Sequence, residues 1–194
     1  MNQKFEMNSR VEIDFNKIRK GDHHTFELLF KAYYRQLTRF AWRYVNSNTI
    51  AEELVQDVFA NIWEKKHLII INGSIKSYMY KSVRNQALNF LKHDSIRSEY
   101  DFIWAKERGM EKDDIINDNQ SIKYKQIKIK KAIEDLPPRS RMAFKLNRHD
   151  GLTYQEIAEV MDISIKTVES QMSRALKTLR SKLQDSMEYL LEFD

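Results

Sequence analysis

Hydrophobic residues recur at helical spacing in three long segments of the first half of the chain. After Asp22, a candidate N-cap, they keep to intervals of three and four residues until the polar run at residues 46–49. Residues 51–64 repeat this pattern, with apolar side chains on one stripe and acidic and amide side chains on the other. Residues 74–92 repeat it again, with four Lys or Arg residues and no acid. The pattern predicts three amphipathic helices, of which the second has an acidic outer face and the third is basic.

The helical pattern fails in the middle of the chain and then returns. Residues 93–124 are charged and only briefly apolar, a composition typical of a linker. Helical spacing resumes at residues 127–136, stops at Pro137 and Pro138, and resumes at residues 139–147. The first residues are polar, which indicates a flexible N-terminus. The sequence therefore predicts four segments: a flexible N-terminus at 1–15, a domain at 16–95, a linker at 96–124 and a second domain at 125–194.

Two short helical patterns joined by a tight turn follow at residues 152–183. Thr153 and Glu156 have the spacing of a capping box at the start of the first helix, and Ser164 is a candidate N-cap for the second. Asp162 stands at the turn, where such motifs usually carry Gly, and Asp tolerates a positive φ better than most residues. The second helix sets an apolar stripe against five basic residues and one acid. This pattern indicates a helix-turn-helix motif, whose second helix reads duplex DNA.

Composition agrees with a helical, anion-binding protein. The chain has 194 residues, of which 42% are apolar, enough to form the core of one domain or of two small ones. It contains four Gly and two Pro, which disfavours a turn-rich β architecture and favours an all-α fold of two small helical domains. A net charge of +5 suits a polyanionic partner.

Several classes of function are disfavoured by what the sequence lacks. The absence of Cys excludes disulfides, thiolate catalysis and Cys-based metal sites. The five histidines show no helical pair with a third ligand, which predicts no metal site and no cofactor. There is no glycine-rich phosphate loop, nucleophile elbow or kinase signature, so we expect neither an enzyme nor a small-molecule substrate. Without a signal-peptide pattern or an apolar run of eighteen residues, we expect a cytoplasmic protein that does not insert into membranes.

Two sequence motifs resemble those of one protein family. The stretch AEELVQDVFANIWE at residues 51–64, followed by the basic YMYKSVRNQALNFLK at residues 78–92, resembles region 2 of the small sigma factors of bacterial RNA polymerase. The stretch LPPRSRMAF at residues 136–144 and the helix-turn-helix pattern after it resemble region 4. Their order and the linker between them are similar to the extracytoplasmic-function (ECF) group, which keeps only these two regions. The resemblance implies a factor that binds core RNA polymerase and directs promoter recognition, DNA opening and transcription initiation.

The resemblance assigns polymerase binding to the acidic helix. In the family, the helix that matches residues 53–64 docks on the clamp helices of the largest polymerase subunit. The implied contact residues are acidic or amide side chains off the apolar stripe, namely Glu53, Gln56, Asp57, Asn61 and Glu64. Their oxygens are suited to accept hydrogen bonds from Arg and Lys across an interface. The alternative is a solvated acidic face.

The resemblance assigns capture of the minus-10 promoter element, as single-stranded bases, to the following loop and helix. Such capture needs aromatic or amide groups beside the bases and cations along the backbone. The candidates are Asn72, Ser74, Tyr78, Tyr80, Lys81, Arg84, Asn85, Asn89 and Lys92. Tyr78 is equally compatible with a core position, whereas Tyr80, Arg84 and Asn85 lie off the main apolar stripe and are the stronger candidates.

The helix-turn-helix would read the minus-35 element as duplex. The candidates for base or phosphate contact are Thr153, Lys166, Thr167, Ser170, Gln171, Arg174 and Lys177, with Arg139 and Arg141 as clamps on the DNA backbone. Family members are commonly held inactive by an anti-sigma factor, often membrane-bound, so the resemblance also implies such a partner.

Two other functions fit parts of the sequence. The first is a self-sufficient helix-turn-helix regulator of the LuxR type, whose N-terminal domain senses a ligand or dimerises. The acid-free basic stretch at residues 74–92 favours a second nucleic-acid surface over a sensor. The second is a helical interaction protein without DNA function, which leaves two separate basic surfaces unexplained.

Overall fold

A computed structural model of the chain describes residues 13–94 and 120–183. Within these ranges the side chains of residues 93, 94 and 120–125 are not described. The predicted N-terminal segment and the predicted linker therefore lie almost entirely outside the described residues. The described residues contain no strand, which confirms the all-α fold.

The described residues form eight helices in two compact units, Met1–Asp94 and Ser95–Asp194. The first unit contains α1 (Phe15–Arg19), α2 (His23–Val45), α3 (Asn48–Glu64) and α4 (Ile75–Asp94). The second unit contains α5 (Gln120–Glu134), α6 (Pro138–Arg148), α7 (Tyr154–Met161) and α8 (Ile165–Lys182). Helix α5 begins before residue 125, so its first turn lies inside the segment that the sequence analysis interpreted as a linker.

In the first unit, α2, α3 and α4 pack against one another around a single core. The Asp22 carboxylate caps α2 as predicted, since it accepts hydrogen bonds from the backbone N–H of His24 at 3.1 Å and from the Thr25 hydroxyl at 2.6 Å. Asn46 follows α2 as its C-cap, and its φ of 50° and ψ of 31° lie in the left-handed region. Helix α1, which the sequence analysis did not predict, is held to this core by the fully buried Ile18.

In the second unit, α6 and α7 both pack against α8. The predicted capping box forms: Thr153 N–H lies 2.9 Å from a Glu156 carboxylate oxygen, and Glu156 N–H lies 3.2 Å from the Thr153 hydroxyl. The Ser164 hydroxyl accepts from Thr167 N–H at 3.1 Å and caps α8. Asp162 links the two helices with a φ of 57° and a ψ of 50°. These four residues therefore build the helix-turn-helix geometry that the sequence predicts.

The left-handed conformation of Asp162 gives a stability prediction for this turn. The left-handed region costs an ordinary L-residue about 1–2 kcal/mol, less for Asp and nothing for Gly. We expect Asp162→Gly to retain or slightly increase the free energy of unfolding, and Asp162→Val to lower it by about 1 kcal/mol or more. Urea denaturation followed by circular dichroism measures both. Equal stabilities for the Gly and Val variants would show that the turn is not held in this conformation.

Candidate interaction surfaces

Helix α3 has one buried face and one exposed acidic face. Val55, Val58 and Ile62 are buried on the first. The helix contains four acids and neither Lys nor Arg. The sequence-predicted contact residues Glu53, Gln56, Asp57 and Glu64 are all exposed, and Asn61 is half-buried. The Asn61 amide donates to the backbone carbonyl of Asp57 at 2.8 Å, so part of its hydrogen-bonding capacity is used within the helix.

Tyr80 of α4 is buried, and the prediction that it lies on a free surface is wrong. Its side chain is fully inaccessible to solvent. Its ring packs against Phe40 of α2 with centroids 4.9 Å apart, and its hydroxyl lies 3.5 Å from the Gln36 side-chain oxygen. The physical reason is that Tyr80 lies three residues before Val83 and seven before Ala87, so at helical spacing it falls on the buried stripe of α4 and not beside it. Tyr78, for which the sequence left a core position open, is only half-buried.

Most of the remaining minus-10 candidates lie either on one outward face of α4 or in the residues just before this helix. The exposed residues recur at helical intervals and share one face of α4: Lys81, Asn85, Asn89 and Lys92. Asn72 is exposed in the preceding loop. The Ser74 hydroxyl accepts from Ser77 N–H at 3.0 Å, so Ser74 also caps the helix.

Arg84 lies between this outward face and the core. It is half-buried and stands beside Tyr44 of α2. Burial raises the pKa of Tyr44 to about 12, and the charges of Arg84 and Arg43 oppose that rise. Arg84 therefore has a packing partner as well as the exposure needed to contact an anion.

Helix α8 presents a similar outward face. Its exposed candidates again recur at helical intervals: Lys166, Ser170, Arg174 and Lys177. Thr167 and Gln171 are half-buried. The Thr167 and Ser164 hydroxyls lie 2.8 Å apart, and the buried Ser140 of α6 donates to the Gln171 amide oxygen at 2.6 Å. Gln171 thus ties α8 to α6.

Three further minus-35 candidates lie at the starts of α6 and α7. Arg139 is exposed. Arg141 is half-buried, and its guanidinium donates to the Leu136 carbonyl through Nη2 at 2.9 Å and Nε at 3.3 Å. Its contacts therefore hold the turn between α5 and α6. Thr153 is exposed, but its hydroxyl takes part in the capping box.

An ion pair between Asp135, which directly follows α5, and Lys182 at the end of α8 gives a pH prediction. Lys182 Nζ lies 2.6 Å from an Asp135 carboxylate oxygen, and this hydrogen bond is the main reason that the pKa of Asp135 lies below its ordinary value of 3.8. The stabilisation is therefore present above pH 3.8 and is lost as the pH falls through the lower, folded-state pKa. We expect Asp135→Asn to lower the Tm slightly at pH 7 and not at strongly acidic pH. A difference in Tm that stayed constant down to pH 2 would contradict this.

The described residues contain no helix long and apolar enough to cross a membrane. Within the same ranges, no group of three or more His, Asp or Glu side chains is arranged to hold a metal ion.

Comparison with known proteins decides between the functions that these surfaces permit. A family model described as Sigma-70 region 2 matches residues 29–95, and one described as Sigma-70, region 4 matches residues 126–179. The ECF RNA polymerase sigma-E factor of Escherichia coli strain K12 is 30% identical over 175 residues, which cover 87% of this chain and 91% of that protein. This chain belongs to the ECF family of RNA polymerase sigma factors. The self-sufficient regulator is not favoured, because α2 to α4 match region 2.

Further matches support this family assignment and the fold. The sigma-E factor of Haemophilus influenzae is 25% identical over 178 residues, covering 88% of this sigma factor and 94% of the relative. Two solved structures share the fold. The sigma factor RpoE of Bartonella quintana, in complex with the anti-sigma factor NepR, superposes with a TM-score of 0.57 at 23% identity, covering 83% of this chain and 98% of that one. CnrH, in complex with the cytosolic domain of CnrY, gives a TM-score of 0.57 at 17% identity, with coverages of 89% and 96%.

Proposed function

We propose that this sigma factor binds core RNA polymerase through the exposed face of α3 and contacts promoter DNA through the outward faces of α4 and α8. The observation that carries the proposal is the separation of charge among these helices. Helix α3 has four acids and no Lys or Arg, whereas the outward faces of α4 and α8 each expose two or more cations at helical intervals. An acidic face suits a basic protein surface, and cationic faces suit phosphates.

The two DNA-facing helices differ in a way that suits their assigned elements. The α4 face combines cations with two exposed amides, Asn85 and Asn89, which offer hydrogen bonds to the edges of unpaired bases. The α8 face belongs to a helix-turn-helix, the arrangement that places such a helix in the major groove. We therefore assign the minus-10 element, as single strand, to α4 and the minus-35 element, as duplex, to α8.

An anti-sigma factor and a cytoplasmic location complete the proposal. Of the two proteins with the same fold, the sigma factor RpoE was solved with the anti-sigma factor NepR, and CnrH was solved with the cytosolic domain of CnrY. A partner that covers both α3 and α4 would block polymerase binding and minus-10 capture at once. The factor has no catalytic activity of its own in this proposal, since it acts by binding, and it works where core RNA polymerase resides.

Reconstitution with polymerase tests the proposal as a whole. The purified chain is mixed with sigma-free core enzyme, the complex is isolated, and transcripts are mapped on fragmented genomic DNA. We expect transcripts from discrete start sites that core enzyme alone does not use. Failure to form a complex, together with specific duplex binding by the free chain, would overturn the proposal in favour of a self-sufficient regulator.

Arg174 gives a residue-level prediction for the minus-35 contact. We expect Arg174→Ala to weaken binding to a promoter by roughly tenfold, because an Arg contact to a guanine edge contributes about 1–3 kcal/mol of discrimination. Arg180→Ala is the matched control, since it removes the same charge from another side of α8. Electrophoretic mobility shifts with the holoenzyme measure promoter affinity, and co-purification measures polymerase binding. Equal losses of promoter affinity in the two variants would indicate a general charge effect and not a specific contact.

A further inference from the structure

The loop between α3 and α4 exposes two large aliphatic side chains to solvent. Leu68 is 80% exposed and Ile70 is 77% exposed, whereas Ile69 between them is only 9% exposed. Exposed aliphatic side chains gain nothing from folding, so a pair of them on one loop indicates a contact made with another molecule. The conformation at Ile69 determines where the two neighbours point.

Arg19 of α1 holds this loop at Ile69. Its Nη2 donates a hydrogen bond to the Ile69 carbonyl at 2.9 Å, across fifty residues of sequence. Its Nη1 donates to the Asn16 side-chain oxygen at 3.0 Å, and its guanidinium lies 5.6 Å from the centre of the Phe15 ring. Helix α1 is itself anchored in the core by the fully buried Ile18. Two hydrogen bonds and the Phe15 ring thus hold the guanidinium in place. Arg19 therefore links the loop to a helix that is anchored in the core.

The charges around the loop favour nucleic acid as its partner. The loop leads directly into α4, and residues 65–92 contain six Lys or Arg residues and no acid. Aliphatic side chains that stand beside cations are the means by which proteins separate stacked bases, because the side chain takes the place of the neighbouring base. An acid-free surface of this kind is a poor site for a basic protein partner.

We infer that Arg19 is a positioning residue for promoter opening: by fixing the Ile69 carbonyl it holds Leu68 and Ile70 against the unstacked bases that α4 captures. This inference rests on the proposed function, since it assigns to the α3–α4 loop a part in strand separation at the same promoter element. Arg19 itself touches the loop and not the DNA.

The test compares duplex and premelted promoter with reconstituted holoenzyme. The promoter is one found with the wild-type factor, and a second template carries a mismatched bubble over the minus-10 element. Open-complex formation is followed by permanganate reactivity of unpaired thymines. We expect Arg19→Ala to open the duplex promoter roughly tenfold more slowly, since it loses a hydrogen bond from a charged donor. The premelted template should restore nearly normal rates, because its bases are already unstacked.

Three further variants distinguish a positioning role of Arg19 from a general effect of charge and from misfolding. Lys17→Ala removes a charge from the same helix at an exposed position and should open the promoter at close to the wild-type rate. Arg19→Lys retains one donor and should restore part of the rate. The double variant Leu68→Ser with Ile70→Ser keeps Arg19 and alters only exposed side chains, so it should fold normally, slow opening to a similar extent, and add little to Arg19→Ala.

The outcomes distinguish a failure of this inference from a failure of the proposed function on which it rests. If the wild-type factor gives no specific transcripts, the proposed function fails and the inference fails with it. If the wild-type factor works but Arg19→Ala opens duplex promoter as fast as Lys17→Ala, only the inference is wrong. The inference is also wrong if the premelted template does not restore the rate of open-complex formation by Arg19→Ala. It is wrong as well if the Leu68 and Ile70 double variant opens promoters normally but loses affinity for core polymerase. That last result would show that the loop binds protein.

Discussion

Replacing Gln56 and Asp57 together with lysine should weaken binding of this sigma factor to core RNA polymerase at least a hundredfold, on the order of 3 kcal/mol, while both helical units stay folded. Both side chains are exposed, on the face of α3 opposite the buried Val55 and Val58. The substitutions remove two acceptors and place two positive charges opposite a surface that we propose to be basic. Like charges brought together at an interface cost several kcal/mol. The dissociation constant is measurable by fluorescence anisotropy of the labelled factor titrated with core enzyme.

A matched control makes this result specific to α3. Gln155→Lys with Glu159→Lys introduces the same change of charge on α7, in the second unit, and should leave the dissociation constant within about threefold of wild type, since neither residue belongs to the proposed polymerase-binding face. Thermal unfolding followed by circular dichroism checks that each variant is folded. An unchanged dissociation constant for the α3 variant would remove this face from the polymerase interface, and unfolding of that variant would show that the face is not exposed.

The ends of the helices could be predicted from sequence because their causes are local. A cap is a hydrogen bond between residues two or three positions apart, so Asp22, Thr153 and Ser164 could each be read without knowledge of the fold. The same is true of Asp162, whose left-handed conformation is set by the tight turn that follows α7. These residues define the helix-turn-helix, which explains why the motif was recognisable in isolation.

The faces of the helices were predictable where apolar residues mark the buried stripe. Helix α3 buries a single stripe, and of the side chains placed off it Asn61 is half-buried and the others are exposed. In α4, the burial of Tyr80 also follows from periodicity, because Tyr80 lies three residues before Val83 and seven before Ala87, so the prediction that it lies off the stripe was wrong. Ser77 is a different case. It is a polar residue that is buried where α4 packs on its neighbours, and no apolar pattern marks it.

Contacts between distant parts of the chain were not predictable. Helix α1 has five residues, too few to display a helical period, and its signals were limited to a capping Asp14 and two apolar positions, Phe15 and Ile18. The hydrogen bond from Arg19 to the Ile69 carbonyl joins residues fifty positions apart. Such a contact follows from the packing of α1 on the core and has no counterpart in the local sequence.

Because its ring is fully buried, truncating Tyr80 should have the largest effect on stability of any single change considered for this sigma factor. We expect Tyr80→Ala to lower the free energy of unfolding of the first unit by about 3–5 kcal/mol, the range for removing a buried aromatic ring. Tyr80→Phe should cost less than Tyr80→Ala, because it keeps the buried ring and its packing against Phe40. In a Trp104→Phe background, the fluorescence of Trp42 and Trp63 reports urea unfolding of the first unit.

The same pair of variants distinguishes a core role from a DNA-binding role. If Tyr80 is a core residue, Tyr80→Phe should bind a single-stranded minus-10 oligonucleotide, within the holoenzyme, as tightly as wild type. Tyr78→Ala, at a half-buried position, should destabilise the unit less than Tyr80→Ala. If Tyr80 instead stacked on a base, Tyr80→Ala would weaken oligonucleotide binding, by about 1–3 kcal/mol, with little loss of stability. The ratio of the two losses for Tyr80→Ala thus measures whether Tyr80 stays in the core of the first unit when the factor is bound to polymerase and DNA.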